Sequence, residues 1–346
     1  MSQARAYAAF AADKPLAPWT FERREPRPDD VVIDIAYCGI CHSDLHTARG
    51  EWGEISYPQV VGHEIAGKVV SVGKKVKKFK AGDLAAVGCM VDSCGKCANC
   101  KRGLQQHCTA GATFTYNAKE KDGSQTQGGY STRIVVNERF VLKVKKGLPL
   151  ERVAPLLCAG ITTYSPLKRH GAKKGTRVGV LGLGGLGHMA VKIAAAMGGK
   201  VVVLSGSESK RGDAKRLGAS AFLLTKDAAQ MEKAANSLDL IVDTVSGAHD
   251  VNAMLGLLDI GGTLIMVGAA PEPHAIGSFP LVMGRRAVEG SLIGGIPETQ
   301  EMLDFCAKRN VLADVEVIAA KDVNEAYERM IKSDVRYRFS IDASTI

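Results

Sequence analysis

The 346-residue chain is predicted to be an α/β protein with two unlike parts. A β-rich, partly barrel-like domain comes first, and a doubly wound parallel sheet with crossover helices follows. Three observations predict this. Up to about residue 150, short β-branched runs are broken by glycine turns, and few helical patterns occur. From Thr176 onward the pattern alternates strand, glycine turn and helix. Between the first strand and first helix of that second part lies Gly182-Leu183-Gly184-Gly185-Leu186-Gly187.

In the first part, residues 31–37 and 65–72 are the clearest strands, and Gly73, Gly82-Asp83, Gly88 and Gly128-Gly129 mark turns. In the second, Arg177–Leu181 reads as a buried strand. The helix after it carries Leu186, Met189, Ala190, Ile193, Ala194 and Met197 on one face, at spacings of three and four. Further strands are predicted at 201–204, Ala221–Leu224, 240–242 and 264–267. Beyond Gly294 the pattern predicts a helix over 297–309, a strand over 315–318, the helix Val323–Ile331 and a last strand over 336–341. The expected division is 1–151, 152–293 and 294–346.

Composition sets the class. Hydrophobic residues make up 46% and charged residues 23%, which is ordinary for a globular chain rather than a disordered one. No window reaches the ~18–20 apolar residues of a membrane span. The N-terminus carries no apolar core with a cleavage site, so a cytoplasmic protein is expected. The net charge is +9, with lysines clustered in Lys74-Lys75-Val76-Lys77-Lys78-Phe79-Lys80. No nucleic-acid motif accompanies them, so a solvated turn and strand edge is the favoured reading, and neither nucleic acid nor membrane is an expected partner.

Nine cysteines in a cytosolic chain point to metal or catalysis. Cys94, Cys97, Cys100 and Cys108 fall within fifteen residues, and four thiolates can close a tetrahedral zinc shell with no open position. An iron–sulfur cluster is the rival, but its C-x2-C-x2-C run continues x3-C-P, whereas here seven residues intervene and no proline follows.

A reactive zinc needs about three protein ligands and an open position. Cys41-His42-Ser43-Asp44-Leu45-His46 packs a thiol, two imidazoles, a hydroxyl and a carboxylate into one short stretch. Cys41 is the first candidate ligand, and His63 in Gly62-His63-Glu64 the second. Cys158, at the junction of the two halves, is the third, and Glu64 is a spare carboxylate. Asp44 suits the orientation of a ligand imidazole, with a turn-capping role as the alternative. Cys38, Cys89 and Cys306 are read as buried packing residues.

Gly182, Leu183, Gly184, Gly185, Leu186 and Gly187 form a G-x-G-x-x-G turn after a buried strand and before a helix, the context of a Rossmann dinucleotide site. Gly182 permits the turn, Gly184 lets the backbone approach a pyrophosphate and Gly187 allows helix–strand packing. Where a ribose-binding acid is expected, the chain reads Ser205-Gly206-Ser207-Glu208-Ser209-Lys210-Arg211. With no carboxylate at Ser205 to repel a 2′-phosphate, and with hydroxyls and two cations nearby, NADP(H) is favoured over NAD(H).

Taken together, Cys41-His42-Ser43-Asp44, Gly62-His63-Glu64, the four clustered cysteines, Cys158 and the 182–187 loop resemble the zinc-dependent medium-chain alcohol dehydrogenases over nearly the whole chain. Three stretches resemble the cinnamyl alcohol dehydrogenase branch and its microbial broad-range relatives: residues 37–46, 155–167 and 294–299. The resemblance implies a GroES-like catalytic domain with a Rossmann domain inserted and the C-terminal segment returning to the first. It assigns catalytic zinc to Cys41, His63, Glu64 and Cys158, and structural zinc to Cys94, Cys97, Cys100 and Cys108; alcohol dehydrogenase is itself the type example of a catalytic site built from two cysteines and one histidine.

By the same resemblance Ser43 is the hydroxyl beside the reacting oxygen and a cofactor neighbour, and His46 the outer member of a proton relay. Thr162, Thr244, Gly268, Ser291, Leu292 and Ile293 join the glycine loop and Ser205, Gly206, Ser207 and Lys210 as cofactor contacts. Trp52 and Phe114 fall at the substrate pocket. Plant members have a tryptophan where this chain has Phe114, a departure that weighs against monolignol specificity.

The expected reaction is reversible hydride transfer between NADP(H) and an aldehyde–primary alcohol pair, in a homodimer or homotetramer. The rivals are a polyol dehydrogenase, a zinc-free enone reductase on the same scaffold, and a non-enzymatic dinucleotide-binding redox sensor. The Cys41/His63/Cys158 set argues against the zinc-free option.

Overall fold

The computed structural model describes residues 2–346, which form two compact units: residues 2–158 with Gly294–Ile346, and Ala159–Ile293. The first unit is built on the strand Asp30–Gly39, which pairs antiparallel with Ile65–Val72, Arg133–Asn137 and Arg338–Asp342. Val31, Val32, Ile33 and Ile35 are all buried, so both faces of this strand are covered. Outward from it the sheet continues through Arg338–Asp342 to Val315–Ala319 on one side, and through Ile65–Val72 and Leu84–Val87 to Leu142–Lys143 on the other. The C-terminal segment thus supplies two strands of the first unit's sheet.

In the second unit six parallel strands lie in the order Ala221–Leu224, Lys200–Ser205, Arg177–Leu181, Leu238–Asp243, Leu258–Met266, Ala287–Gly290. Numbered along the chain this is 3-2-1-4-5-6, the Rossmann order. The helix Gly187–Ala196 buries Met189, Ala190, Ile193 and Ala194, as its apolar spacing predicts, while Leu186 and Met197 flank it as caps.

Three expectations differ from the structure. The first unit runs to Cys158 rather than to residue 151. Val153, Ala154, Leu156 and Leu157 are buried, and the short helix Ala154–Leu157 packs on Asp30–Gly39, Ile65–Val72 and Leu84–Val87. The sixth parallel strand and the helix Ser278–Gly284 before it lie where the sequence pattern predicts no element. Ala287–Gly290 is an edge strand with a single β-branched residue, so its composition carries little strand signal. The lysine cluster, finally, lies in the loop between Ile65–Val72 and Leu84–Val87, both interior strands. It is a solvated turn but not a sheet edge. No helix among the described residues is long and apolar enough to cross a membrane.

Candidate functional site

Strand register builds the first cluster. Cys38 lies opposite Ile65 in the central antiparallel pair, so the chain just beyond one strand meets the chain just before the other. Cys41 and His63 sit on those two extensions, and Cys158 follows the short helix packed on the same strands. One donor atom from each of Cys41, His63, Glu64 and Cys158 lies within 4.8 Å of all the others, and all four residues are buried. The Cys41 and Cys158 sulfurs are 4.0 Å apart. A tetrahedral ion with metal–sulfur bonds of about 2.3 Å spaces its sulfurs roughly 3.8 Å apart, so the gap suits a shared cation.

Asp44, fully buried, ties this cluster together. Its Oδ1 lies 3.0 Å from His63 Nδ1 and accepts the Gly62 N–H at 3.2 Å. Its Oδ2 accepts the Cys41 N–H at 2.9 Å and the Tyr130 hydroxyl at 3.0 Å. The Tyr116 hydroxyl is also 3.0 Å from His63 Nδ1. With Nδ1 occupied on that side, the imidazole has Nε2 left for a metal. Gly62 adopts φ +104, and a Cβ there would fall 2.5 Å from the Tyr130 ring, so glycine is needed both for the turn and for the tyrosine.

Glu64 is buried against Arg338, whose guanidinium donates to Oε1 in a short ion pair. Burial pushes the Glu64 carboxyl up and Arg338 opposes that shift. Oε2 is buried without a hydrogen-bond partner, an orphan acceptor that a cation would satisfy. Cys41 is drawn well below the ordinary thiol value by the hydrogen bond from Cys158, which the hydrogen bonds with Cys41 and Cys89, and then burial, push the other way. Cys89, expected to be a buried packing residue, is only half-buried and is held down to about 6, first by its hydrogen bond with Cys158. Cys38 and Cys306 are fully buried.

Ser43 Oγ is 3.6 Å from the Cys41 sulfur, directly beside the cluster. His46, on the same helix His42–Ala48, stacks on Trp52 at 4.9 Å between ring centroids, and its Nδ1 is 2.5 Å from Glu51. Trp52 is 57% and Phe114 42% exposed, so both present large aromatic faces to solvent.

The second cluster is local. Cys94, Cys97, Cys100 and Cys108 offer sulfurs within 4.8 Å of one another, with Cys94 and Cys100 3.9 Å apart. Backbone N–H groups point at them: Cys97 N–H to Cys94 at 3.4 Å, and Cys100 N–H to Cys97 at 3.4 Å. The backbone bonds from Cys100 and Thr109 hold Cys97 at about 5, so a thiolate is favoured before any metal arrives.

In the second unit Gly182 turns at φ +87, and a Cβ on Gly187 would fall 2.2 Å from the Gly182 carbonyl oxygen. Nothing lies within 4 Å of a Cβ placed on Gly184, leaving its backbone open to a ligand. Leu183 is buried, whereas Gly185 and Leu186 are half-buried. Ser205 ends its strand, with its Oγ accepting the Ser207 N–H at 3.2 Å, and Ser207 Oγ meets Ser209 Oγ at 2.9 Å. Gly206 is exposed, and Lys210 closes a short 3-10 turn before the helix Arg211–Leu217.

Of the two cations expected beside a 2′-phosphate, Arg211 is engaged elsewhere: it pairs with Glu208 and lies over the Phe222 ring at 4.6 Å. Thr244 Oγ1 donates to the Leu181 carbonyl at 2.7 Å, and Gly268 presses on the Val245 carbonyl, where a Cβ would come within 2.3 Å. Thr162 is buried on the helix Ala159–Arg169, Ser291 N–H donates to Met266 O at 3.0 Å, Leu292 is 50% exposed and Ile293 turns at φ +36.

Residues 27–146 match the alcohol dehydrogenase GroES-like domain and residues 185–308 the zinc-binding dehydrogenase domain. The chain is 54% identical over 347 residues to NADP-dependent alcohol dehydrogenase C 1 of Mycolicibacterium smegmatis, covering 100% of this chain and 99% of that one. The chain belongs to the zinc-dependent medium-chain alcohol dehydrogenases. Within that family it is also 52% identical to the aldehyde reductase YahK of Escherichia coli, covering 99% of each chain. A cinnamyl alcohol dehydrogenase from Helicobacter pylori, solved with NADP(H), superposes with TM-score 0.93 at 45% identity, covering 99% of this chain and 98% of that one. The expected family, cinnamyl alcohol dehydrogenase branch and α/β fold with GroES-like and Rossmann domains hold, and this medium-chain alcohol dehydrogenase is an enzyme.

Sequence reading missed three side chains that the structure adds to the first cluster, Tyr116, Tyr130 and Arg338, and gave a fourth, Cys89, only a packing role. Arg338 lies 274 positions from Glu64, and no local pattern joins them. Gly62 carried the one available signal for Tyr130, since a glycine at a tight turn often admits a large neighbour.

Proposed function

We propose that this alcohol dehydrogenase interconverts aldehydes, aromatic and aliphatic, with primary alcohols by reversible hydride transfer to and from NADP(H). The observation that carries the reading is the buried Cys41, His63, Cys158 and Glu64 donor set with the Ser43 hydroxyl beside it. These four would hold the catalytic zinc, and Cys94, Cys97, Cys100 and Cys108 a structural zinc with no open position. When bound, the catalytic metal supplies Lewis acidity to a substrate oxygen and the dinucleotide supplies or takes the hydride.

The chain's own residues do the rest. Asp44 orients the His63 ring. Ser43 hydrogen-bonds the substrate oxygen and gives or takes its proton, and His46, whose Nδ1 lies against Glu51, passes that proton on to solvent. The 182–187 loop binds the pyrophosphate at the start of the helix Gly187–Ala196. Ser205, Gly206, Ser207 and Lys210 take the 2′-phosphate, while Thr162, Thr244, Gly268, Ser291, Leu292 and Ile293 line the rest of the dinucleotide. Trp52 and Phe114 offer aromatic surface to the substrate.

NADPH oxidation across a panel of aromatic and aliphatic aldehydes tests the reading, with NADH as comparison. No turnover with any aldehyde would sink it. Ser43→Ala should lower kcat about 100-fold or more while both metals stay bound, and full activity in that variant refutes the relay.

We also propose a cytoplasmic homodimer or homotetramer. Nine unbridged cysteines support a reducing compartment, and the exposed Ile260, Phe279, Val282 and Met283 support a covered face in the assembly. A monomer by light scattering refutes the assembly.

A further inference from the structure

Asp243 ends the strand Leu238–Asp243 at the same edge of the parallel sheet as the 182–187 loop, and it is only 2% exposed. Its Oδ1 accepts the Val245 N–H at 3.0 Å, and its Oδ2 lies 2.8 Å from His249 Nε2. The other ring nitrogen, Nδ1, lies 3.0 Å from the Gly247 carbonyl oxygen. Both partners of this imidazole are therefore acceptors. A neutral ring has one N–H and cannot satisfy an ionised carboxylate and a carbonyl together. The arrangement is complete only with one more proton, either on the ring or on the carboxyl.

What the pair holds in place is the Thr244–Val245 turn. Thr244 donates twice to the Leu181 carbonyl, from its N–H at 3.0 Å and its hydroxyl at 2.7 Å. A Cβ on Gly182 would fall 2.9 Å from both Thr244 Oγ1 and Val245 Cγ2, and one on Gly268 2.3 Å from the Val245 carbonyl. The turn is thus wedged between the two glycine segments that flank the dinucleotide site. We propose that His249 is a positioning residue for NADP(H), acting through a proton shared with Asp243 to fix this turn under the glycine loop.

The groups around the pair fit that role. The His274 ring stands 4.8 Å from the His249 ring, at 57°, and provides the other titratable neighbour. Asp250, next along the chain, directs its carboxylate to the Asn252 and Ala253 N–H groups and so leaves Asp243 as the acid facing His249. Burial raises the Asp243 carboxyl above the usual range, against the opposing pull of the Val245 N–H and His249. Once the proton leaves at higher pH, one of the two ring contacts loses its hydrogen, the turn loosens, and an uncompensated carboxylate remains beside the binding site of a polyanion.

The inference rests on NADP(H) as the cofactor. Its test is fluorescence titration of NADPH into the zinc-loaded full-length protein, with kcat at saturating NADPH and a melting curve for each variant. His249→Ala should weaken NADPH roughly ten-fold, the equivalent of one charge-assisted hydrogen bond, while kcat at saturation changes little. His249→Gln, which restores one donor to Asp243, should recover most of that affinity. Wild-type affinity should fall as pH rises, and Asp243→Asn, whose amide donates to the ring with no extra proton, should lose that dependence.

Unchanged NADPH affinity in His249→Ala overturns the inference, as does a fall in kcat with affinity intact. If His249→Ala fails to fold, a pH dependence that persists in both His249→Gln and Asp243→Asn overturns it instead. Failure of the wild type to bind NADPH at all sinks the cofactor reading and this inference with it, whereas wild-type binding with unchanged affinity in His249→Ala sinks this inference alone.

Discussion

Asp44→Asn isolates charge and hydrogen bonding from shape at the catalytic cluster. Each carboxylate oxygen faces one backbone N–H: Gly62 on Oδ1 at 3.2 Å and Cys41 on Oδ2 at 2.9 Å. Neither backbone group can rotate away, so whichever end of the asparagine becomes the amide sets donor against donor. At 0% exposure no water is available to relieve that conflict, and a buried unsatisfied donor costs about 1–3 kcal/mol. The His63 imidazole also loses its carboxyl partner at 3.0 Å. Removing such an orienting group lowers metal affinity about 10- to 100-fold, the equivalent of roughly 1.4–2.7 kcal/mol.

The assay is chelator competition followed by metal analysis, with activity measured in parallel. At a chelator concentration where the wild type keeps both zincs, the variant should retain only the one held by Cys94, Cys97, Cys100 and Cys108. Activity should disappear with the other. A variant that keeps both metals and wild-type kcat refutes the argument that Asp44 works through His63.

Two further outcomes follow from the second unit. Ser205→Asp puts a carboxylate where the 2′-phosphate is proposed to bind, so KM for NADPH should rise about ten-fold or more while KM for NADH rises far less; equal changes for both cofactors would remove Ser205 from that role. Arg177 begins the central parallel strand and bridges Asp239 and Asp259, with Asp259 Oδ2 at 2.8 Å, and holds both carboxyls below their usual range. Because those values are depressed in the fold, their contribution is present above the unfolded value of about 3.9 and disappears as pH falls through the folded one. Arg177→Ala should therefore lower Tm at neutral pH, and its deficit should shrink toward acid pH; a constant deficit contradicts the assignment.

Local spacing determined much of this protein. The four cysteines of the structural cluster lie between Cys94 and Cys108, close enough that one loop and one short helix can wrap an ion, so their partners could be read from sequence alone. The glycine loop is likewise closed within six residues, between a strand and a helix whose periodicities are plain. The strong apolar spacing of the Gly187–Ala196 helix and the alternation of strands and helices then gave the parallel sheet.

Tertiary structure decided what depends on register between distant segments. Cys41, His63 and Cys158 were each nameable, but only the Cys38–Ile65 pairing and the packing of Ala154–Leu157 bring them to one point. Arg338 reaches Glu64 because the last strand lies against Asp30–Gly39, a neighbour relation that no single segment encodes. Tyr116, Tyr130 and Cys89 entered the cluster in the same way, and the His249–Asp243 pair near the 182–187 loop is likewise a product of tertiary structure. Periodicity reports which face of an element is apolar, while the identity of its neighbour is set by the whole chain's search for buried area and satisfied hydrogen bonds.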